Sequence, residues 1–172
     1  MKLLYSLKDN QFPDNGFNHT RSIVRGIVYN DNYEIAMIYL LGDDKFGHRD
    51  YLETPGGGVK KGETLVNALR RELKEELGAE VDNIVEIGRV VDFYNEIYRR
   101  NNNHFYLCHL VSLGEKHFTE REKELINSIK WMDIDEAIKY EENTKITKIS
   151  SLVINRELPI LKIAREMLKG KK

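Results

Sequence analysis

The chain has 172 residues, 41% of them hydrophobic and 32% charged, and a formal net charge of −1. Those values suit one soluble globular domain over residues 1–172 with a sizeable core, and the near-neutral balance gives no global sign of a nucleic-acid or membrane partner. The apolar run at residues 1–7 is too short for a signal peptide, no stretch approaches membrane length, and the single cysteine, Cys108, excludes an internal disulfide, which fits a reducing cytoplasm.

Taken in chain order, residues 21–30 and 34–41 read as strands joined by a turn at Asp31-Asn32. Residues 42–50 read as a polar loop, and a short strand at 51–54 runs into the glycine bend 55–58. A helix follows over 64–77, then a strand at 84–94, a loop at 95–103 and a strand at 105–113 that carries Cys108 as a buried, inert thiol. The charged stretch 114–124 reads as a loop or a helix turn. Trp131 lies on another short strand, and Asp133 caps a helix reaching Tyr140. An amphipathic C-terminal helix is expected at about 151–169, with Pro159 as a kink or a start. It packs on the domain or on a second subunit, and its basic end, 169–172, suits the helix dipole. Strands and helices mix, so the fold class is α/β (or α+β), a mixed β-sheet between α-helices.

The helix at 64–77 carries the chemistry. Thr64 can cap it, and Gly78 stands where a left-handed residue ends it. Leu65, Val66, Leu69, Leu73 and Leu77 form an apolar stripe, while Glu72, Glu75 and Glu76 share the face beside it. Ala68 on that face would leave room for a ligand. A solvated helix laced with ion pairs from Arg70, Arg71 and Lys74 is the plain alternative. Against it stand Gly57, Glu63, Arg71, Glu72, Glu75, Glu76 and Gly78 at fixed offsets, a coincidence with a probability of roughly 10⁻⁸ at average residue usage. Clustered carboxylates repel unless protonated, paired or metal-bound, and Mg²⁺ or Mn²⁺ prefers oxygen ligands. The glycine bend lets a backbone carbonyl approach such an ion, and Arg71 is placed to hold a glutamate.

This segment resembles the Nudix box, G-x5-E-x7-R-E-U-x-E-E-x-G-U, with U a bulky aliphatic residue. Every specified position matches except the last, where Ala79 is small. Residues 51–57 are similar to the lead-in of that box, with Thr54 where a large apolar residue is more usual. Residues 129–137 are similar to the strand and helix that close the domain. The resemblance implies the Nudix fold and a MutT-like hydrolase of a nucleoside diphosphate linked to another moiety. It implies Glu72, Glu75 and Glu76 as metal ligands, one of them a base, with Glu63 in support. Gly56 or Gly57 would offer a carbonyl to Mg²⁺ or Mn²⁺.

A base from a later loop is the other option, with Glu120, Glu122 and Glu124 as candidates. For substrate contacts, Arg25 on the first strand could pair a phosphate, and Glu53 and Gly57 lie in the lead-in. Tyr39-Leu40-Leu41 stands where many relatives carry a basic phosphate clamp, so Arg99 and Arg100 are candidate replacements. Tyr98 or Phe46 could stack on a base. His48 and His104 can titrate near neutrality, but nothing places them near the helix. The expected activity is cleavage of a phosphoanhydride in a (d)NTP, an oxidised nucleotide, ADP-ribose or a similar compound. The alternative is a non-catalytic nucleotide sensor acting on a partner, although no DNA-binding appendage is recognisable after residue 140. Isomerase chemistry on a prenyl diphosphate would need a reactive cysteine, for which Cys108 is poorly suited. Homodimerisation stays open.

Overall fold

Alternation of side chains along the strands sets the architecture. The structure, a computed structural model, describes residues 1–44 and 46–171, and of Arg121 the backbone alone. Its strands are β1 (Leu3–Leu7), β2 (His19–Tyr29), β3 (Glu34–Asp44), β4 (Gly47–Glu53), β5 (Gly56–Gly58), β6 (Ala79–Tyr94), β7 (Arg99–Leu113) and β8 (Ile126–Asp133). The helices are α1 (Leu65–Leu77), α2 (Glu120–Leu125), α3 (Ile134–Asn143) and α4 (Lys148–Lys169). Among the described residues one mixed sheet runs in the order β1-β6-β7-β2-β3-β4, with β5 beside β2 and β8 beside β3. The β1–β6 and β2–β7 pairs are parallel.

Val24 and Val28 of β2, Ala36 and Ile38 of β3, and Tyr106 and Cys108 of β7 face α1, where they meet Ala68, Leu69, Leu73 and Leu77. The intervening residues Ile27, Ile35, Met37, Phe105 and Leu107 face the other way and pack against α3 and α4. A period of two on both faces thus makes a sheet with helices on each side. Each buried leucine of α1 contributes about 1.5–3 kcal/mol.

Thr64 caps α1 by accepting from the Asn67 N–H, and Gly78 ends it with φ 70°. Asp133 caps α3. The departures from expectation have local causes. Residues 42–50 form a hairpin rather than a loop, since β3 and β4 stay paired to Asp44↔Gly47 and Arg49 bridges to Asp44 at 2.8 Å; Lys45 at its tip lies outside the described residues. The loop expected at 95–103 shrinks to a single 3-10 turn at Asn95–Ile97 before β7 begins. Residues 3–7, with no expected element, pair in parallel with β6. Residues 114–124 yield α2, fixed by a capping box between Thr119 and Glu122. Pro159 lies inside α4, which starts at the Thr147 cap, so it is not a start. That helix packs on its own chain, while Lys172 of the expected basic end lies outside the described residues. Val66 is exposed rather than on the apolar stripe, and Ala68 is sealed in the core rather than beside a ligand.

The sheet is not continuous across its centre. β2 and β3 share one registered pair, Tyr29↔Ile35, at their hairpin and then diverge. Beyond that point β2 pairs with the glycine bend, and β3 pairs with β4 and β8. The gap between them is the cleft described next.

Candidate active site

One wall of the cleft is α1. Arg71 donates from Nε and Nη2 to the two oxygens of Glu63, both at 2.9 Å. Its Nη1 reaches Glu72 Oε1 at 2.7 Å and Glu75 Oε2 at 3.1 Å, and Nη2 also reaches the Gly58 carbonyl at 2.9 Å. A planar fork with five N–H groups can hold three carboxylates and a carbonyl at once, which a lysine cannot. Glu63 also accepts the Lys60 N–H at 3.0 Å. The Arg71 contact and then the Lys60 N–H hold its carboxyl down at about 2.

Glu76 stands differently. Its Oε2 accepts the Gly56 N–H at 2.7 Å. Burial pushes its pKa well above the ordinary range, against the pull of Gly56 and Arg25, and Glu72 and Glu122 push it further. Burial likewise raises Glu72; Arg71 opposes this, while Glu75 and Glu122 add to it. The bend is shaped for these side chains. A Cβ on Gly57 would strike the Glu72 carboxyl, and one on Gly56, whose φ is 145°, would strike the Val24 carbonyl. Among the described residues, no three acidic, histidine or cysteine side chains are already gathered to hold an ion. The donor chemistry nonetheless fits a hard divalent cation: two partly desolvated carboxylates, Glu72 and Glu76, are each raised in pKa by burial and by neighbouring carboxylates, with all-oxygen donors around them.

Of the three candidate glutamates in the later segment, Glu122 reaches the cleft, which it lines together with Glu72 and Glu75. Its carboxylate also accepts the Thr119 N–H at 2.7 Å. Glu120 is not brought to the cleft: it is exposed and pairs with Lys123 at 2.6 Å, because α2 turns it to solvent. Glu124 does not line it either.

The other wall opens into a cavity of about 270 Å³. Arg25 and Glu53 line it, and they pair with each other. Arg25 also donates to the Thr54 carbonyl at 2.8 Å and lies 3.3 Å from Glu157. Burial alone would raise the Glu53 pKa, but Arg25, Arg156 and Arg49 together hold it below the usual range. Arg99 and Phe46 line the cavity as well. Tyr98 does not: it is exposed at the hairpin turn with φ 50°, and Tyr94 four residues earlier takes the place on the wall. Arg100, one residue on from Arg99, points to the opposite face and lies over the Phe17 ring. His48 and His104 line neither part of the cleft. Burial pushes the Cys108 thiol up to about 12, so it is no nucleophile.

Sequence reasoning missed Arg21, Arg49, Asn101 and Arg156, all on the cavity wall. Alternation along β2 places Arg21, Ile23 and Arg25 on one face and could have found the first. Arg156 gave no such signal, since it sits on the buried side of an otherwise apolar helix. There it lies 2.7 Å from Glu157, 3.2 Å from Glu53 and 3.5 Å from Asp92. Glu157 in turn accepts the Thr54 N–H at 2.7 Å. The strand end that leads into the glycine bend is therefore held from behind by α4.

A mixed sheet flanked by helices thus carries a glutamate-bearing helix at a glycine bend. The sequence matches the NUDIX domain family over residues 19–152, most of its length, and the chain belongs to the Nudix hydrolase family. It is similar to a NUDIX hydrolase from Nitrosomonas europaea, with 18% identity, a TM-score of 0.62, and 90% of this chain and 92% of that one covered. It is also similar to a MutT NUDIX hydrolase from Burkholderia pseudomallei (16% identity, TM-score 0.60, 81% and 99% covered). A structure described as an ADP compounds hydrolase matches with 16% identity, a TM-score of 0.64, and 91% and 76% covered. At such identities the likeness is one of fold. No curated protein sequence matches the chain. Among the described residues, no helix is long and apolar enough to cross a membrane.

Proposed function

We propose that the chain, working as a single unit that includes α4, is a divalent-metal-dependent pyrophosphohydrolase. It cleaves a phosphoanhydride in a nucleoside diphosphate linked to another moiety. The observation that carries this reading is the pair Glu72 and Glu76 beside a glycine bend cut to fit them: burial raises both carboxyls in pKa, Glu75 and Glu122 add to the rise at Glu72, and Glu72 and Glu122 add to it at Glu76. Such a pair is unfavourable by itself and is relieved by a bound cation.

Glu72, Glu75, Glu76 and the Gly56 carbonyl would hold Mg²⁺ or Mn²⁺. When bound, the ion supplies charge neutralisation at the phosphate oxygens and a lowered pKa for an attacking water. The remaining work falls to side chains. Arg71 orients Glu72 and Glu75 and keeps Glu63 ionised. Glu122, across the cleft from α1, is placed to take a proton from water; Glu75, half-open to solvent, is the other candidate base. Arg25 and Glu53 fix the wall along which the substrate lies, and Gly57 lets it approach the backbone.

The test is a panel of nucleotides and nucleoside-diphosphate sugars with Mg²⁺ or Mn²⁺, scored for release of phosphate, pyrophosphate or nucleoside monophosphate. Metal-dependent cleavage of at least one anhydride, abolished by chelation, is expected. Nucleotide binding with no turnover under any metal would replace this reading with a sensing module.

A further inference from the structure

The cavity beside the acidic helix has a charge pattern of its own. Among its lining residues are Arg21, Arg25, Arg49, Arg99 and Arg156. Three of these are neutralised: Arg25 by Glu53 and Glu157, Arg49 by Asp44, and Arg156 by Glu157, Glu53 and Asp92. Among the described residues Arg21 and Arg99 have no acidic partner. They come from neighbouring parallel strands, where His19 is in register with Arg99 and Arg21 with Asn101. Arg99 is partly buried over the Tyr94 ring at 5.0 Å, and its Nε is buried with no hydrogen-bond acceptor among the described residues. Burial, Arg21 and Arg156 push its pKa down, while Tyr94 and Asp92 pull the other way. Asn101, 1% exposed on the same wall, donates to Asp92 at 2.6 Å and leaves its Oδ1 without a donor. The facing wall is apolar, with Leu40, Phe46, Leu125 and Ile126.

A partly buried guanidinium without an acidic partner, as at Arg99, is costly unless an anion joins it, and the exposed Arg21 adds a second positive charge beside it. Arg21 also borders the acidic part of the cleft, and its guanidinium lies over Gly58. The cleft is thus acidic at one end and basic at the other. Building on the hydrolase reading above, we propose that Arg21 and Arg99 form an anion subsite, so that the preferred substrate carries, apart from its diphosphate, a phosphate or carboxylate on the half that enters this cavity. The apolar wall covers the carbon skeleton of that half, and Asn101 Oδ1 accepts from one of its hydroxyl groups.

Matched substrates test this. UDP-glucuronate is compared with UDP-glucose for a carboxylate, and ADP-ribose 2′-phosphate with ADP-ribose for a phosphate. For at least one pair, kcat/KM is expected to favour the anionic member tenfold or more. Arg99→Met should bring that ratio close to one, chiefly by lowering kcat/KM for the anionic member. Arg21→Met, at an exposed side chain that cannot unfold the protein, should do the same in part. Arg165→Met, a charge loss far from the cavity, should leave the ratio alone. A ratio near one in the parent, or a ratio that Arg99→Met leaves intact, overturns the subsite. A uniform loss on both members would mean that these arginines grip only the diphosphate, which overturns it equally. Calorimetric titration of the metal-free protein with ribose 5-phosphate against ribose separates this from the hydrolase reading. Saturable binding of the phosphate alone, lost in Arg99→Met, would support the subsite even if no substrate turned over. Turnover without preference and without such binding would remove the subsite and leave the hydrolase.

Discussion

The carboxylates of α1 and the charge cluster beneath α4 use the same side chains under opposite conditions. Glu63 just before α1 and Glu72 and Glu75 on it share one arginine and Glu76 has a backbone N–H, so negative charge is left over and faces an open cleft. Beneath α4, Arg156 and Arg25 meet Glu53, Asp92 and Glu157 behind the cavity wall, with Arg156, Asp92 and Glu157 at most 1% exposed, and positive and negative charge come close to balance. An unbalanced, accessible cluster is ready to take a ligand. A balanced, sealed one holds geometry, and its worth shows only when one partner is removed.

Substitutions should therefore separate the two. Glu76→Gln or Glu75→Gln should lower turnover about a thousandfold or more, with the thermal midpoint moving by less than about 4 °C. If either variant turned over at the parent rate, the chemistry assigned to α1 would be wrong. Arg156→Met should do the reverse, removing about 3–5 kcal/mol of stability because Asp92 and Glu157 are left buried and uncompensated. Urea denaturation measures that loss, and an unchanged midpoint would show the cluster to be dispensable. Glu122→Gln should cost about ten- to a hundredfold in kcat while Glu120→Gln costs nothing, since only the former faces the cleft. Equal effects would place the base elsewhere.

The smallest effect concerns the edge of the sealed cluster. Glu141 is buried with both carboxylate oxygens unpartnered among the described residues. Burial, and then Glu157, push its pKa up to about 9. The folded state then binds the proton more tightly than the unfolded chain, so stability falls as pH rises from the ordinary carboxylate range towards that value. Glu141→Gln should flatten this slope and add about 1–2 kcal/mol at pH 8. A slope that survives the substitution would assign it to another group.

The box was legible because its constraints are local. Cap, stripe and carboxylate face all lie within one helix and its bend, and periodicity with residue type is enough to read them. The strand β1 was not legible, because its partner is β6, more than 80 positions away, and five residues carry too little pattern. Tyr98 was a reasonable aromatic for the cavity until the chain reversed at Asn95–Ile97 and turned it outward. Arg156 and Glu157 were invisible for a deeper reason. An amphipathic pattern predicts apolar residues on the buried side, and a matched set of opposite charges can replace them only when strands far off in sequence supply the partners.

The bond from the Thr54 N–H to Glu157 spans 103 positions. During synthesis the glutamate helix emerges and can form early, while the bend it faces has nothing behind it. The wall closes only when α4 has left the ribosome and docked, a long-range step of the kind that slows folding. A nascent chain halted before residue 157 would then carry every glutamate of the box and still lack a properly set cleft.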